Sequence, residues 1–144
     1  MTGDKELLEY LNENITVGLE ALKTLSKKME STDNKIKSNV DKASREYESF
    51  AHRLKELSNE EVPVKKENLF SVMMAKMGTN TEFMKDNSDS KIAETLIQGY
   101  NMGLLDITKK LKKYKGDISK DVLELANDYK KMMHDGAKDI KGFL

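Results

Sequence analysis

The side chains that could carry metal or acid–base chemistry are two histidines, His52 and His134, and acids on the same two helices, Glu46, Glu48, Glu124 and Asp128. The chemistry they would serve is a carboxylate-bridged pair of iron or manganese ions held between helices. Such a site takes one Glu from each of two helices and a Glu-x-x-His pair from each of the other two, because i,i+3 spacing turns both ligands to one face. Neither histidine fits that spacing. Ser49 stands three positions before His52, and Lys131 three before His134. Direction fails as well. Residues advance by about 100° along a helix, so His52 lies about 140° round from Tyr47 and faces sideways or outward. Glu124 and His134 turn away from the line of Val122, Leu125 and Tyr129, and Asp128 sits on its flank. Glu46, at the edge of its apolar stripe, is the best-placed carboxylate. A degenerate metal site would therefore have to use Glu46, His52 and Asp128. The expectation is no metal, no cofactor and no catalytic residue. The chain has no cysteine, which excludes thiolate ligands and thiol nucleophiles. Neither a Gly-rich phosphate loop nor a nucleophile–base pair is spelled out.

Two further clusters have chemical potential. Met73, Met74, Met77 and Met84 offer thioethers, which are soft ligands for Cu(I). With Leu69, Phe70 and Val72 around them, and no His or Cys close by, they read better as a flexible apolar cover. Lys109, Lys110, Lys112, Lys113 and Lys115 could attract phosphate. Cations at a helix C-terminus also complement its dipole, and aromatic interleaving is limited to Tyr114. Lys and Arg number 25 and so do Asp and Glu, giving zero formal charge. That balance gives no electrostatic reason to expect nucleic acid as a partner.

The elements that must position these groups are helices. Leu8, Leu11, Ile15, Gly18, Leu22, Leu25 and Met29 step by three and four, with Leu7 and Leu19 widening the stripe. Ile36, Val40, Ala43, Tyr47, Phe50, Leu54 and Leu57 repeat the stepping. So do Ile92, Leu96, Tyr100, Gly103, Ile107, Leu111 and Tyr114, and then Ile118, Val122, Leu125, Tyr129, Met132, Met133, Gly136 and Ile140. The pattern predicts helices over residues 4–29, 34–57, 90–115 and 119–142. Ser31, Thr32 and Asp33 can cap the second, Ser88 or Asp89 the third, and Asp117 or Ser119 the fourth; Gly116 ends the third. Pro63 is the one proline in the chain, which favours long unbroken helices. A short helix is expected over residues 66–77, ended by Gly78, inside a long connection between the second and third helices. Such a connection implies a crossover along an antiparallel four-helix bundle. The 144 residues suit one domain with a real core.

The chain resembles the ferritin-like superfamily. The resemblance rests on the order of two long amphipathic helices, a crossover with a short helix, and two more long helices. The stretches Leu11-Asn12-Glu13-Asn14, Gly18-Leu19-Glu20-Ala21-Leu22 and Tyr47-Glu48-Ser49-Phe50-Ala51-His52-Arg53-Leu54 are similar to small bacterial members. The resemblance implies an all-α ferritin-like bundle, and iron oxidation or storage in members that carry ligands. This chain departs from that ligand set, so the fold carries over and the activity does not.

The leading expectation is a non-enzymatic bundle that acts by contact with itself or with another protein. Met102, Leu105 and Leu123 lie off the main stripes and suggest an interface, covered either by the crossover helix or by a second subunit. Two other functions are weighed beside it: the degenerate metal protein, and a carrier of an apolar ligand with Tyr47, Tyr100 and Tyr129 around a central cavity. The first eleven residues are acidic and polar, so no secretory leader is expected. No apolar run approaches the ~20 residues that span a bilayer, so neither is membrane insertion, and the expected location is the cytoplasm.

Overall fold

The structure, a computed structural model, describes residues 2–58 and 87–144. Its long elements are helices α1 (Thr2–Lys28), α2 (Lys37–Leu57), α3 (Asp89–Lys113) and α4 (Lys120–Ile140), and a short 3-10 turn (Lys141–Phe143) follows α4. No strand occurs among the described residues. The expected short helix at 66–77, the methionine cluster from Met73 to Met84 and Pro63 lie outside the described residues.

The four helices pack into one core because each carries one apolar stripe that water would otherwise wet. Leu7, Leu11, Leu22, Leu25 and Met29 from the first helical stretch are buried with Ile36 and Val40, Ile92 and Ile107, and Leu125 and Met133. Four rings, Tyr47, Phe50, Tyr100 and Tyr129, share this core with them. Glycines in the stripes make the room. A Cβ at Gly18 would stand 2.8 Å from Tyr47 Cδ1 and 2.9 Å from its Cζ. One at Gly136 would meet Tyr100 Cζ at 2.9 Å, and one at Gly103 would meet Met133 Sδ at 2.7 Å. Each glycine is thus the seat of a bulky side chain on a neighbouring helix.

The helix starts are tied by acids from far along the chain. Asp117 Oδ2 accepts from Gly3 N at 3.1 Å, and Asp4 Oδ1 accepts from Ser119 N at 2.7 Å. The first turn of α1 and the turn that leads into α4 therefore hold each other. At α2 the expected capping by Ser31, Thr32 and Asp33 does not occur. Ile36 occupies the cap position without a side-chain bond, and the acceptor comes instead from α3. Asp89 Oδ2 accepts from Lys35 N at 3.1 Å, and Asp89 Oδ1 accepts from Asn34 Nδ2 at 2.7 Å. The same residue sits in the first turn of α3, where a negative charge suits the helix dipole. Ser88 caps α3 as expected, accepting from Lys91 N at 3.2 Å. Gly116, at φ +85°, takes the left-handed turn after α3 that other residues resist.

Candidate functional site

Tyr47, Tyr100 and Tyr129 do converge. The Tyr47 and Tyr100 rings stack with centroids 6.5 Å apart, and Tyr129 meets Tyr47 edge-on at 5.8 Å. Phe50 adds a second edge-on contact to Tyr129 at 5.2 Å. Aromatic pairs favour such arrangements because a ring's positive edge meets another's negative face.

A buried phenol needs a partner for its hydroxyl, and α1 supplies it. Tyr129 donates to Asn14 Oδ1. Asn14 Nδ2 donates in turn to the Tyr10 hydroxyl at 3.4 Å, and Tyr10 donates to the Gly103 carbonyl at 3.1 Å. The chain of bonds runs from α4 through α1 to α3. Its chemical consequence is neutrality. Burial pushes the phenols of Tyr10, Tyr47, Tyr100 and Tyr129 above the usual range, and neighbouring negative or phenolic groups add to the rise. Such groups hold protons firmly and are poor bases or nucleophiles near pH 7.

Tyr10 and Asn14 were not among the residues singled out by sequence. Their spacing of four places both on one side of α1, beside the stripe that holds Leu11, Ile15 and Gly18. Thr95 was also missed: it is buried in α3 and donates to the Lys91 carbonyl at 2.9 Å. An i−4 back-bond of this kind lets a threonine enter a core at little cost.

Glu46, His52 and Asp128 are each engaged at the surface. Glu46 faces Lys42 Nζ at 3.8 Å, and Lys42 also reaches Asp139 at 3.4 Å. His52 is exposed and lies 3.1 Å from Glu56. Asp128 accepts from Arg53 Nη2 at 2.9 Å, while Arg53 rests over the Phe50 ring. Six residues separate Glu46 from His52, which puts them on different faces of α2. Among the described residues no three His, Asp or Glu side chains come together as a metal site would require. In α3 the Gln98 Oε1 is buried without a hydrogen-bond partner.

The expected cavity lies elsewhere than at the centre of the three rings. They fill the middle by contact. A void of about 40 Å³ opens beside them, walled by α1 and α3, with Tyr47 and Tyr100 on its lining and Tyr129 not. Of the off-stripe residues, Leu105 is 56% and Leu123 39% exposed, and Met102 is half-buried. No described helix is long and apolar enough to cross a membrane.

Comparison of the chain with protein-family models, with curated proteins and with solved structures gives no match.

Proposed function

We propose that this chain is a non-catalytic bundle of ferritin-like, antiparallel order that works through its surface, by self-association or by contact with another protein. The register of contacts supports the helix order. Between α1 and α4, and between α2 and α3, both residue numbers rise together: Gly3 with Asp117 and Asn14 with Tyr129, then Asn34 with Asp89 and Tyr47 with Tyr100. Between α3 and the C-terminal region one number falls as the other rises: Ser90 meets Leu144, while a Cβ at Gly103 would meet Met133. Between α2 and α4 the order likewise inverts, from Lys42 with Asp139 to Arg53 with Asp128. An up–down–down–up order accounts for all of these pairs, and it is the order a crossover bundle requires.

The observation that carries the non-catalytic part is the occupant of the bundle's centre. Where a metal-dependent bundle converges carboxylates, this one joins Tyr10, Asn14 and Tyr129 through their own hydrogen bonds, with Tyr47 packed against Tyr129 and Tyr100. The centre is occupied by groups that hold helices together, which leaves the recognition of partner proteins to the outside. Leu105 and Leu123, with Leu144 the large exposed apolar side chains among the described residues, gain from being covered.

Sedimentation tests the surface reading. The expected result is a species heavier than the 16.4 kDa chain that reverts toward it in a Leu105→Lys, Leu123→Lys double variant. A strict monomer at high concentration that captures no partner refutes it. Elemental analysis of protein purified without chelator tests the other half. Stoichiometric iron or manganese, lost on Glu46→Ala, would restore the metal reading.

A further inference from the structure

The void between α1 and α3 has the properties of a site rather than of a packing flaw. Leu22, Leu25 and Thr95 line it and are at least 95% buried, while Val17, Leu96 and Gly99 stand at its half-buried rim. Its walls are mainly apolar. Of the four polar side chains that line it, Asn14 bonds to Tyr10 and Tyr129, and Thr95 to the Lys91 carbonyl. A water molecule is held in a protein when two to four polar groups face it, whereas apolar voids stay dry and take apolar guests.

Gly18 and Gly99 both line this void, and they behave differently. Gly18 is closed off by the Tyr47 ring, but a Cβ at Gly99 would meet nothing within 4 Å. Space is therefore kept beside α3 at a position where a glycine costs helix stability relative to alanine. Size sets the guest. An apolar void of about 150 Å³ admits benzene; this one, at about 40 Å³, takes something smaller.

We propose that the α1–α3 seam is a binding site for a small apolar molecule of a few heavy atoms, entering past Gly99 and resting against Leu22 and Leu25. The inference is independent of the surface reading above, since it concerns a face that Leu105 and Leu123 do not line.

Xenon is the probe. Full-length protein carrying labelled methyl groups is titrated with dissolved xenon and followed by NMR. The expected result is saturable shifts confined to the methyls of Val17, Leu22, Leu25 and Leu96. In Gly99→Leu, whose side chain occupies the mouth, those shifts fall at least fivefold while the spectrum remains that of a folded protein. Leu96→Phe closes the void from another side, and is the second variant should the first disturb the fold. Dissolved dioxygen, read by its paramagnetic relaxation, should mark the same methyls. Linear shifts spread over the whole core, or an undiminished response in both filled variants, would overturn the site. So would a crystal structure showing the void occupied by ordered water.

Discussion

Adding one methyl group at Gly18 and the same group at Gly99 should move stability in opposite directions. Both glycines lie within helices, so replacing either by alanine gains a similar helix-propensity term of about 0.8–1.0 kcal/mol. At Gly99 nothing opposes that gain, because the new Cβ meets no atom within 4 Å. At Gly18 the Cβ lands 2.8 Å from one Tyr47 ring carbon and 2.9 Å from another, against an ordinary contact of 3.4 Å or more. The ring must retreat by more than half an ångström. It is hemmed in by Tyr100 on its face and Tyr129 at its side. Forcing atoms into a packed core costs about 1–3 kcal/mol. The propensity terms cancel between the two variants, so this overpacking cost is the difference between them. With a urea m-value of about 2 kcal/mol/M for a small domain, the Gly99→Ala midpoint should exceed that of Gly18→Ala by roughly 0.5–1.5 M. Urea unfolding followed by circular dichroism, with m-values checked for equality, reads this directly. A Tyr47→Leu background supplies the cycle, since Gly18→Ala should lose most of its cost there. Equal midpoints for the two single variants would refute the reading of Gly18 as the seat of a ring.

Tyr129→Phe keeps the ring contacts and deletes a hydroxyl, stranding Asn14 Oδ1. It should cost about 1–3 kcal/mol, the penalty for an unsatisfied buried group, measured by the same denaturation. At Asp89 burial alone would raise the carboxyl, but hydrogen bonds from Asn34, Lys35 and Ile36 outweigh it and hold the group below its ordinary 3.8. A depressed carboxylate contributes stability above the unfolded value that is lost as pH falls through the folded one. The stability gap between the natural protein and Asp89→Asn should therefore be constant from pH 7 to about 5 and shrink steadily below pH 4. A gap that does not narrow in acid would remove Asp89 as the clamp between α2 and α3.

The helices were legible because their signal is repeated: each stripe offers many apolar residues at one period, and a single exception does not spoil it. The observed bounds differ from expectation by two or three residues at several ends, where periodicity is silent and capping decides. Capping was the weaker inference for a physical reason. A local cap such as Ser88 is written three residues before its donor, but Asp89 serves Lys35 from more than fifty residues away, and nothing in the spacing around Ser31–Asp33 announces that. The tyrosines were legible as core-phased residues, and their hydroxyls were known to need partners. The partners were not, because Asn14 lies beside its stripe rather than in it, and only the approach of α4 brings Tyr129 to it. The glycines were visible in the stripes as small positions. Their meaning depends on which ring faces them across the seam, which is a property of the pair and not of either helix.

The placement of those seats divides the molecule in a particular way. Gly18 and Tyr47 both belong to the first half, Gly136 and Tyr100 both to the second, so each half carries its own matched knob and socket. What joins the halves is the shared apolar core, with Tyr47 stacked on Tyr100 and edge-on to Tyr129, and a short list of polar handshakes, Asn14 with Tyr129 and Tyr10 with Gly103, together with the acid clasps at the helix starts. A chain cut between Ser58 and Asn87 should thus yield two fragments that find one another when mixed, each shaped in advance for the other.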